Sequence, residues 1–145
     1  MMKYLVELIG TFFLVATVGF TVLEPGASAL APLAIGSALM IMIYAGGHVS
    51  GGHYNPAVTL AVWMRGRCPT SDVPGYMIAQ VAGALMAAFL VMFMKGTGAA
   101  TAASPDVVRA VTAQLLFTFA LCCVVLNVAT AKPTEGSSYL GVTLA

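Results

Sequence analysis

The sequence predicts an all-α membrane protein, on three observations: its composition, the spacing of its charges and the length of its apolar runs. Hydrophobic residues make up 60% of the 145 residues and charged residues 8%, whereas soluble domains contain about 25% charged residues. A helix needs roughly 20 apolar residues to cross a bilayer. The few charges leave several runs of that length. We therefore expect membrane-spanning helices.

Four apolar runs have the length of a membrane span. They lie at about residues 4–23, 30–47, 74–95 and 108–130, and a fifth begins at 137–145. Glu7 is the one charged residue between Tyr4 and Leu23. A cleaved secretion signal is the alternative for the first run, but Glu7 and a length beyond the usual 7–15 residue signal core disfavour it.

The second run belongs to a stretch with no formal charge from Pro25 to Met64, about twice the length that one crossing requires. Leu30–Ala45 is a plausible helix, and two glycine pairs follow it, at 46–47 and 51–52. Glycine supplies the backbone freedom that ends a helix. We therefore expect the second span to end near residue 47, before a non-helical segment.

A second, shorter helix is predicted at 55–65. Asn55 is a favourable N-cap, and Pro56 fits the first helical position, where a missing N–H costs nothing. Gly66 is a natural stop. Such a helix is roughly 15 Å long, half of a bilayer core. Non-helical backbone at membrane depth is tolerated where it is buried in protein or lines a wet cavity, so this pattern indicates a re-entrant half-helix.

These residues carry a family resemblance. The stretch HVSGGHYNPAVT at 48–59 resembles the first Asn-Pro-Ala loop of the aquaporins, the major intrinsic protein family. Two helices resemble those of the family, on Glu7-x-x-Gly10-Thr11-Phe12-Phe13 and Gly75-Tyr76-x-x-Ala79-Gln80-x-x-Gly83-Ala84. The resemblance covers essentially the whole chain. It implies an aquaporin-like inverted-repeat helical bundle, present here as one partial transmembrane domain over 1–145.

An internal comparison supports a repeat. A shift of 107 positions places the first span on the fourth and aligns identical residues in five pairs: Leu8 with Leu115, Thr11 with Thr118, Phe12 with Phe119, Leu14 with Leu121 and Val18 with Val125. Coincidences among apolar residues are common, so the match is only supportive. The same shift would place a partner of Asn55 at position 162, beyond Ala145. We expect the chain to be part of a longer pore.

Asn55 has the chemistry of a pore residue. A capping Asn turns its side-chain oxygen back onto helical N–H groups, which leaves its amide NH₂ free to donate. A donor at the positive end of a helix dipole orients a water oxygen towards itself and opposes a cation. The resemblance implies this role for Asn55 within the motif Asn55-Pro56-Ala57. The alternative is that Asn55 is only a cap.

The resemblance implies roles for the neighbouring loop and for a constriction. Four residues would present backbone carbonyls to the pore: Gly51, Gly52, His53 and Tyr54. Ile35 would occupy the second-helix position of the constriction. Its apolar side chain permits either a water pore or a wider one.

Three further residues are expected to brace loops. Glu7 is an ionisable residue inside a span, and such residues face the bundle interior with a partner. By resemblance that partner is the backbone of a pore loop. Gln114 is the repeat mate of Glu7, with an unrelated interhelical hydrogen bond as the alternative. His48 is expected to pack at the end of the second helix.

Composition disfavours other functions. The net charge is +1 and no basic cluster exceeds Arg65 with Arg67, which argues against nucleic acid as a partner. His48 and His53 lack nearby Cys or acidic residues, so we expect no metal site, and we expect no cofactor. An enzyme would need clustered acid, base or nucleophile groups. These are not evident.

The family resemblance implies a transmembrane channel for passive flux of water that excludes protons and ions, as part of a complete pore. One alternative is a facilitator for glycerol or other small neutral solutes, and another is a non-conducting structural membrane fragment. Lys and Arg placement favours a cytoplasmic N-terminus. By resemblance we expect a homotetramer in the lipid bilayer, in the bacterial inner membrane.

Overall fold

The computed structural model describes residues 1–96 and 106–129. These residues form five α-helices and one short 3₁₀ turn at Ser28–Leu30. The helices are α1 (Met2–Val22), α2 (Ala31–Ser50), α3 (Pro56–Met64), α4 (Val73–Lys95) and α5 (Val107–Ala129). The expected start of a fifth span at 137–145 lies outside the described residues.

Four of the helices are long and apolar enough to cross a membrane. α1 has 21 residues. α4, α5 and the segment Ser28–Ser50, which contains α2, have 23 residues each. α3 is only 9 residues long, which is too short to span a bilayer. Within the described ranges every regular element is helical. The prediction of an all-α membrane protein is confirmed.

α1 occupies the middle of the bundle and packs most extensively against α4 and α2. Small residues let the backbones of α1 and α4 approach each other closely, as is common between membrane helices. Gly83 lies so near α1 that a Cβ atom there would overlap the carbonyl oxygen of Leu8. Ala87, one turn further along α4, has no exposed surface. Small residues of α4 therefore allow the α1 and α4 backbones to lie close together.

Polar contacts tie α1 to α4 at both ends. Where both helices begin, Asp72 accepts hydrogen bonds from Lys3 Nζ at 2.6 Å and from Tyr4 Oη at 3.0 Å. The Lys3 ammonium is the main reason that the pKa of Asp72 lies below its ordinary value of 3.8. At the other end, Lys95 Nζ donates to the carbonyl oxygens of Phe20 and Leu23, at 2.8 and 2.5 Å. Lys95 thus caps the negative end of the α1 dipole.

α2 ends later than the sequence predicts. The prediction that it stops near residue 47 is wrong, because the helix continues to Ser50. Gly51 then has φ 88° and is the left-handed residue that closes the helix. Gly46 lies inside the helix, where the absence of a side chain leaves room for Val6 and the Tyr54 hydroxyl. The first glycine pair serves packing, and only the second pair ends the helix.

α3 lies between α4 and α5 and contacts both. Its buried residues Val58 and Val62 belong to one apolar cluster with Val125 of α5. Arg65 caps its C-terminus, and Gly66 follows with φ 74°. The half-helix therefore runs from the interior of the bundle to the end at which α1 and α4 begin.

Candidate functional site

Asn55 starts the half-helix inside the bundle. Its backbone is extended, with φ −154° and ψ 129°, and its Oδ1 accepts from Ala57 N at 2.8 Å. Its carbonyl oxygen accepts from Thr59 N at 3.0 Å. Pro56 follows at the first helical position and is exposed. Among the described residues, the Asn55 side-chain nitrogen donates to no protein group, so it remains able to donate to a ligand.

The loop before Asn55 has an unusual backbone. Gly51, Gly52 and Tyr54 have φ values of 88°, 65° and 47°, respectively. Glycine adopts such angles freely, whereas a non-glycine residue there is uncommon. Tyr54 therefore needs other contacts to hold it in place.

The ring of Tyr54 is wedged between α1 and α2. Only 3% of Tyr54 is exposed, and its hydroxyl donates to Met42 O at 2.8 Å. A Cβ atom on either Gly10 or Gly46 would overlap this ring or its hydroxyl. The two glycines therefore form the slot that seats Tyr54, and this wedge fixes the loop against both helices.

Glu7 holds the loop from α1. Its side chain is completely buried and accepts four hydrogen bonds. Oε1 accepts from Ser50 Oγ at 2.6 Å and from His53 N at 3.0 Å. Oε2 accepts from Tyr54 N at 2.7 Å and from Gln80 Nε2 at 2.8 Å. A carboxylate with donors on both oxygens is what a buried charge requires.

Gln80 connects α4 to the same network. Its Nε2 donates to Glu7 and also to Thr59 Oγ1 at 2.9 Å. Thr59 Oγ1 donates to Asn55 O at 3.2 Å and lies 3.1 Å from His53 Nδ1. The Thr59 hydroxyl has one hydrogen, so it accepts from both Gln80 and His53. His53 then carries its proton on Nδ1, which leaves Nε2 as an acceptor.

Four residues of this network belong to the motifs quoted from the sequence but were given no role there: Ser50, Thr59, Tyr76 and Gln80. Tyr76 donates to Ser50 O at 2.6 Å, at the point where α2 ends. Each of the four is a polar residue in an apolar context, and such residues face the bundle interior rather than lipid. That pattern could have identified Gln80 in particular.

Two cavities meet at His53. A cavity of about 310 Å³ opens at the end where α1 and α4 begin, and its lining includes Ser50, Gly51 and His53. A smaller cavity of about 40 Å³ lies deeper, beside Asn55 and Gly52, and His53 also lines it. His53 is 7% exposed. His53 therefore lies between the outer cavity and the narrow space at the start of α3.

The structure places His48, Gln114 and Ile35 outside this network. His48 is exposed on the last turn of α2 and takes no part in the hydrogen bonds that hold the loop. Gln114 is exposed on α5 and donates to Thr118 Oγ1 at 3.1 Å. Ile35 is half-buried on α2. Ala57 is half-buried in the first turn of α3. Within the described ranges, no cluster of three His, Cys, Asp or Glu side chains could hold a metal ion.

Comparison with known proteins places the chain in a family. The family model of the major intrinsic protein matches residues 1–144. Glycerol uptake facilitator protein-like 6 of Lactiplantibacillus plantarum is 37% identical, over 99% of this chain and 70% of the relative. Aquaporin NIP1-3 of Oryza sativa is 37% identical, over 88% of this chain and 48% of the relative. Aquaporin Z of Rhodopseudomonas palustris is 43% identical, over 68% of this chain and 43% of the relative.

The chain thus spans about half the length of two of these relatives and 70% of the third. The family match covers nearly every residue, and the four apolar spans agree with it. The buried loop with its capped half-helix also lies within the matched range. This chain is an integral membrane protein that belongs to the major intrinsic protein family, whose members are channels.

Proposed function

We propose that the protein conducts water passively and excludes protons and ions, as part of a complete pore. The observation that carries the proposal is the geometry of Asn55. Its Oδ1 is used by the helix cap, and the residue lines a cavity of about 40 Å³. The side-chain NH₂ group is left to donate to whatever occupies that cavity.

This donor sits where it can control the orientation of water. The start of α3 is the positive end of its dipole. A water molecule there accepts from Asn55 with its oxygen and turns its hydrogens away, which interrupts the chain of hydrogen bonds that proton hopping needs. The same positive end opposes cations. In a complete pore we expect a second donor to face Asn55.

The loop at 51–54 would supply the hydrogen-bond acceptors for water in the pore. The N–H groups of Gly52, His53 and Tyr54 are all engaged, with Ser50 or Glu7. We propose that the carbonyl groups of residues 51–54 face the water path and that Glu7 keeps them there. His53 Nε2 would be a further acceptor, between the two cavities. The outer cavity of about 310 Å³ would then be the cytoplasmic vestibule.

A facilitator for glycerol or another small neutral solute is the second candidate. It is supported by the similarity to a glycerol uptake facilitator-like protein over 99% of the chain. The small volume beside Asn55 favours water, since roughly 10–15 Å³ suffices for one water molecule. The half-buried Ile35 is compatible with either solute. A non-conducting membrane fragment remains the alternative of another class.

The orientation in the membrane, the type of membrane and the oligomeric state are also proposals. A cytoplasmic N-terminus would place Lys3, Arg65 and Arg67 inside, in agreement with the positive-inside rule. We propose the bacterial inner membrane and a homotetramer with one pore in each subunit.

Osmotic swelling tests the proposal. The protein expressed from its complete gene is reconstituted into vesicles, and water and proton fluxes are measured in the same preparation. We expect water flux above the lipid baseline without matching proton leak. Asn55→Asp and Asn55→Ser both keep a cap but lose the NH₂ donor, so we expect proton leak to rise in both, and cation leak to rise with Asp alone. Water flux at the lipid baseline in the unmodified protein would contradict channel function.

A further inference from the structure

We propose that Leu14 and Leu121 form a size-limiting pair at the midpoint of the pore and determine which neutral solutes pass. The inference rests on the proposed channel function and deepens it. In the internal repeat, a shift of 107 positions aligns Leu14 with Leu121.

The structure brings this repeat-related pair to one place. Both leucines line the cavity of about 40 Å³ beside Asn55. Leu14 comes from α1 and Leu121 from α5, and these two helices are not in direct backbone contact within the described ranges. The two side chains therefore reach the same cavity from separate helices. Among the five aligned pairs, this pair alone has both members in its lining.

The lining of this cavity is mostly apolar. Asn55, Gly52 and His53 supply its polar groups. Leu14 and Leu121 have no polar atoms, so they cannot replace hydrogen bonds that a passing solute loses. The volume is enough for about three water molecules. A solute with a carbon backbone must displace water and fit against both leucines at once.

This position differs from that of Ile35 on α2, because Ile35 does not line the cavity beside Asn55. Leu14 and Leu121 would therefore restrict the size of the solute at a second position along the pore, beside the Asn55 donor. Both residues are half-buried and pack against the apolar cluster of Val58 and Val125. Loss of packing and loss of a size limit must therefore be separated by experiment.

Leu126 provides the matched control. It packs against the same cluster but does not line the cavity. Leu14→Ala, Leu121→Ala, the double variant and Leu126→Ala are made in the protein expressed from its complete gene. Water swelling and glycerol influx are measured in vesicles for each. The readout is the ratio of glycerol to water permeability, which a change in the amount of folded protein does not alter.

We expect the ratio to rise roughly tenfold in each cavity variant, the lower end of what one removed hydrocarbon group is worth in a size-selective site. The double variant should exceed both single ones, and Leu126→Ala should match the unmodified protein. Leu121→Phe keeps the site apolar and should lower water flux instead. An unchanged ratio in the alanine variants, or Leu121→Phe with full water flux, would overturn the proposal. Absence of water flux in the unmodified protein would instead refute channel function.

Discussion

Replacing Glu7 by glutamine tests how the loop before Asn55 is held. The substitution keeps the shape of the side chain but turns an acceptor of four hydrogen bonds into a group with one oxygen and one NH₂. The oxygen is best placed towards Tyr54 N and Gln80 Nε2. The NH₂ group then faces Ser50 Oγ and His53 N, which both donate to Glu7 in the native protein.

The energetic cost follows from these contacts. The Ser50 hydroxyl can rotate and accept from the new NH₂ group, but the buried His53 N–H cannot, and one unpaired donor costs about 1–3 kcal/mol. The two bonds on the other oxygen lose their charge assistance, at about 1 kcal/mol each. Glutamine avoids the cost of burying a charge, which offsets part of this sum. We expect a net loss of about 2 kcal/mol in the free energy of unfolding.

Thermal unfolding in detergent, followed by the helical circular dichroism signal, measures this loss. Glu24→Gln is the control, because Glu24 is exposed and, among the described residues, accepts only from Gly26 N, at 3.1 Å. We expect the control to melt with the unmodified protein and Glu7→Gln to melt earlier, with reduced water flux where channel activity is present. Equal melting of all three proteins would show that the carboxylate does not hold the loop.

Three further predictions concern the helix contacts. Gly83→Ala should destabilise the protein by about 1–3 kcal/mol, because its Cβ meets the backbone of α1. Gly47→Ala is the control and should melt no earlier than the unmodified protein, because a Cβ there would make an ordinary contact of 3.6 Å with Ile43. Lys95→Met should cost about 2 kcal/mol by thermal melting, because it removes a charged donor from the α1 carbonyls, and Lys95→Arg should restore most of the loss. The pKa of Asp72 is lowered, mainly by its contact with Lys3, so the stability this contact contributes is fully present above pH 3.8 and is lost as pH falls through the lowered pKa. Asp72→Asn should lose that acid-dependent step in melting curves that start at neutral pH and extend as far below pH 3.8 as the protein allows.

The spans could be predicted from the sequence because each is a long apolar run with few charges. The helix boundaries were less predictable where a glycine could either pack against another element or end the helix. Gly46 and Gly51 look alike in the sequence, but only the structure shows that one faces Tyr54 inside the helix and the other ends it. Glycine permits both roles. Which role a given glycine has depends on the group that packs against it, and that group comes from another part of the chain.

The candidate site was predictable only in part, for a similar reason. The cap at Asn55 is local, so the sequence at 55–57 was sufficient to predict it. The network around Glu7 joins residues up to 73 positions apart, and its main partners include backbone N–H groups that no side-chain pattern identifies. The expected bracing role of His48 came from its position at the end of α2 alone. The structure leaves that side chain exposed.

The Glu7 network also constrains biosynthesis. Glu7 is translated first, and it precedes its donors Ser50 and Gln80 by 43 and 73 residues. The nascent first helix therefore carries an acidic side chain before any of its four hydrogen-bond partners has been synthesised. A charged group in a lipid-exposed helix is costly. The first helix should remain at the insertion machinery, shielded from lipid, until the fourth helix emerges and supplies Gln80. Ribosome-bound chains too short to expose Gln80 outside the ribosome should still crosslink to the translocon through α1, and chains long enough to expose all of α4 should be released.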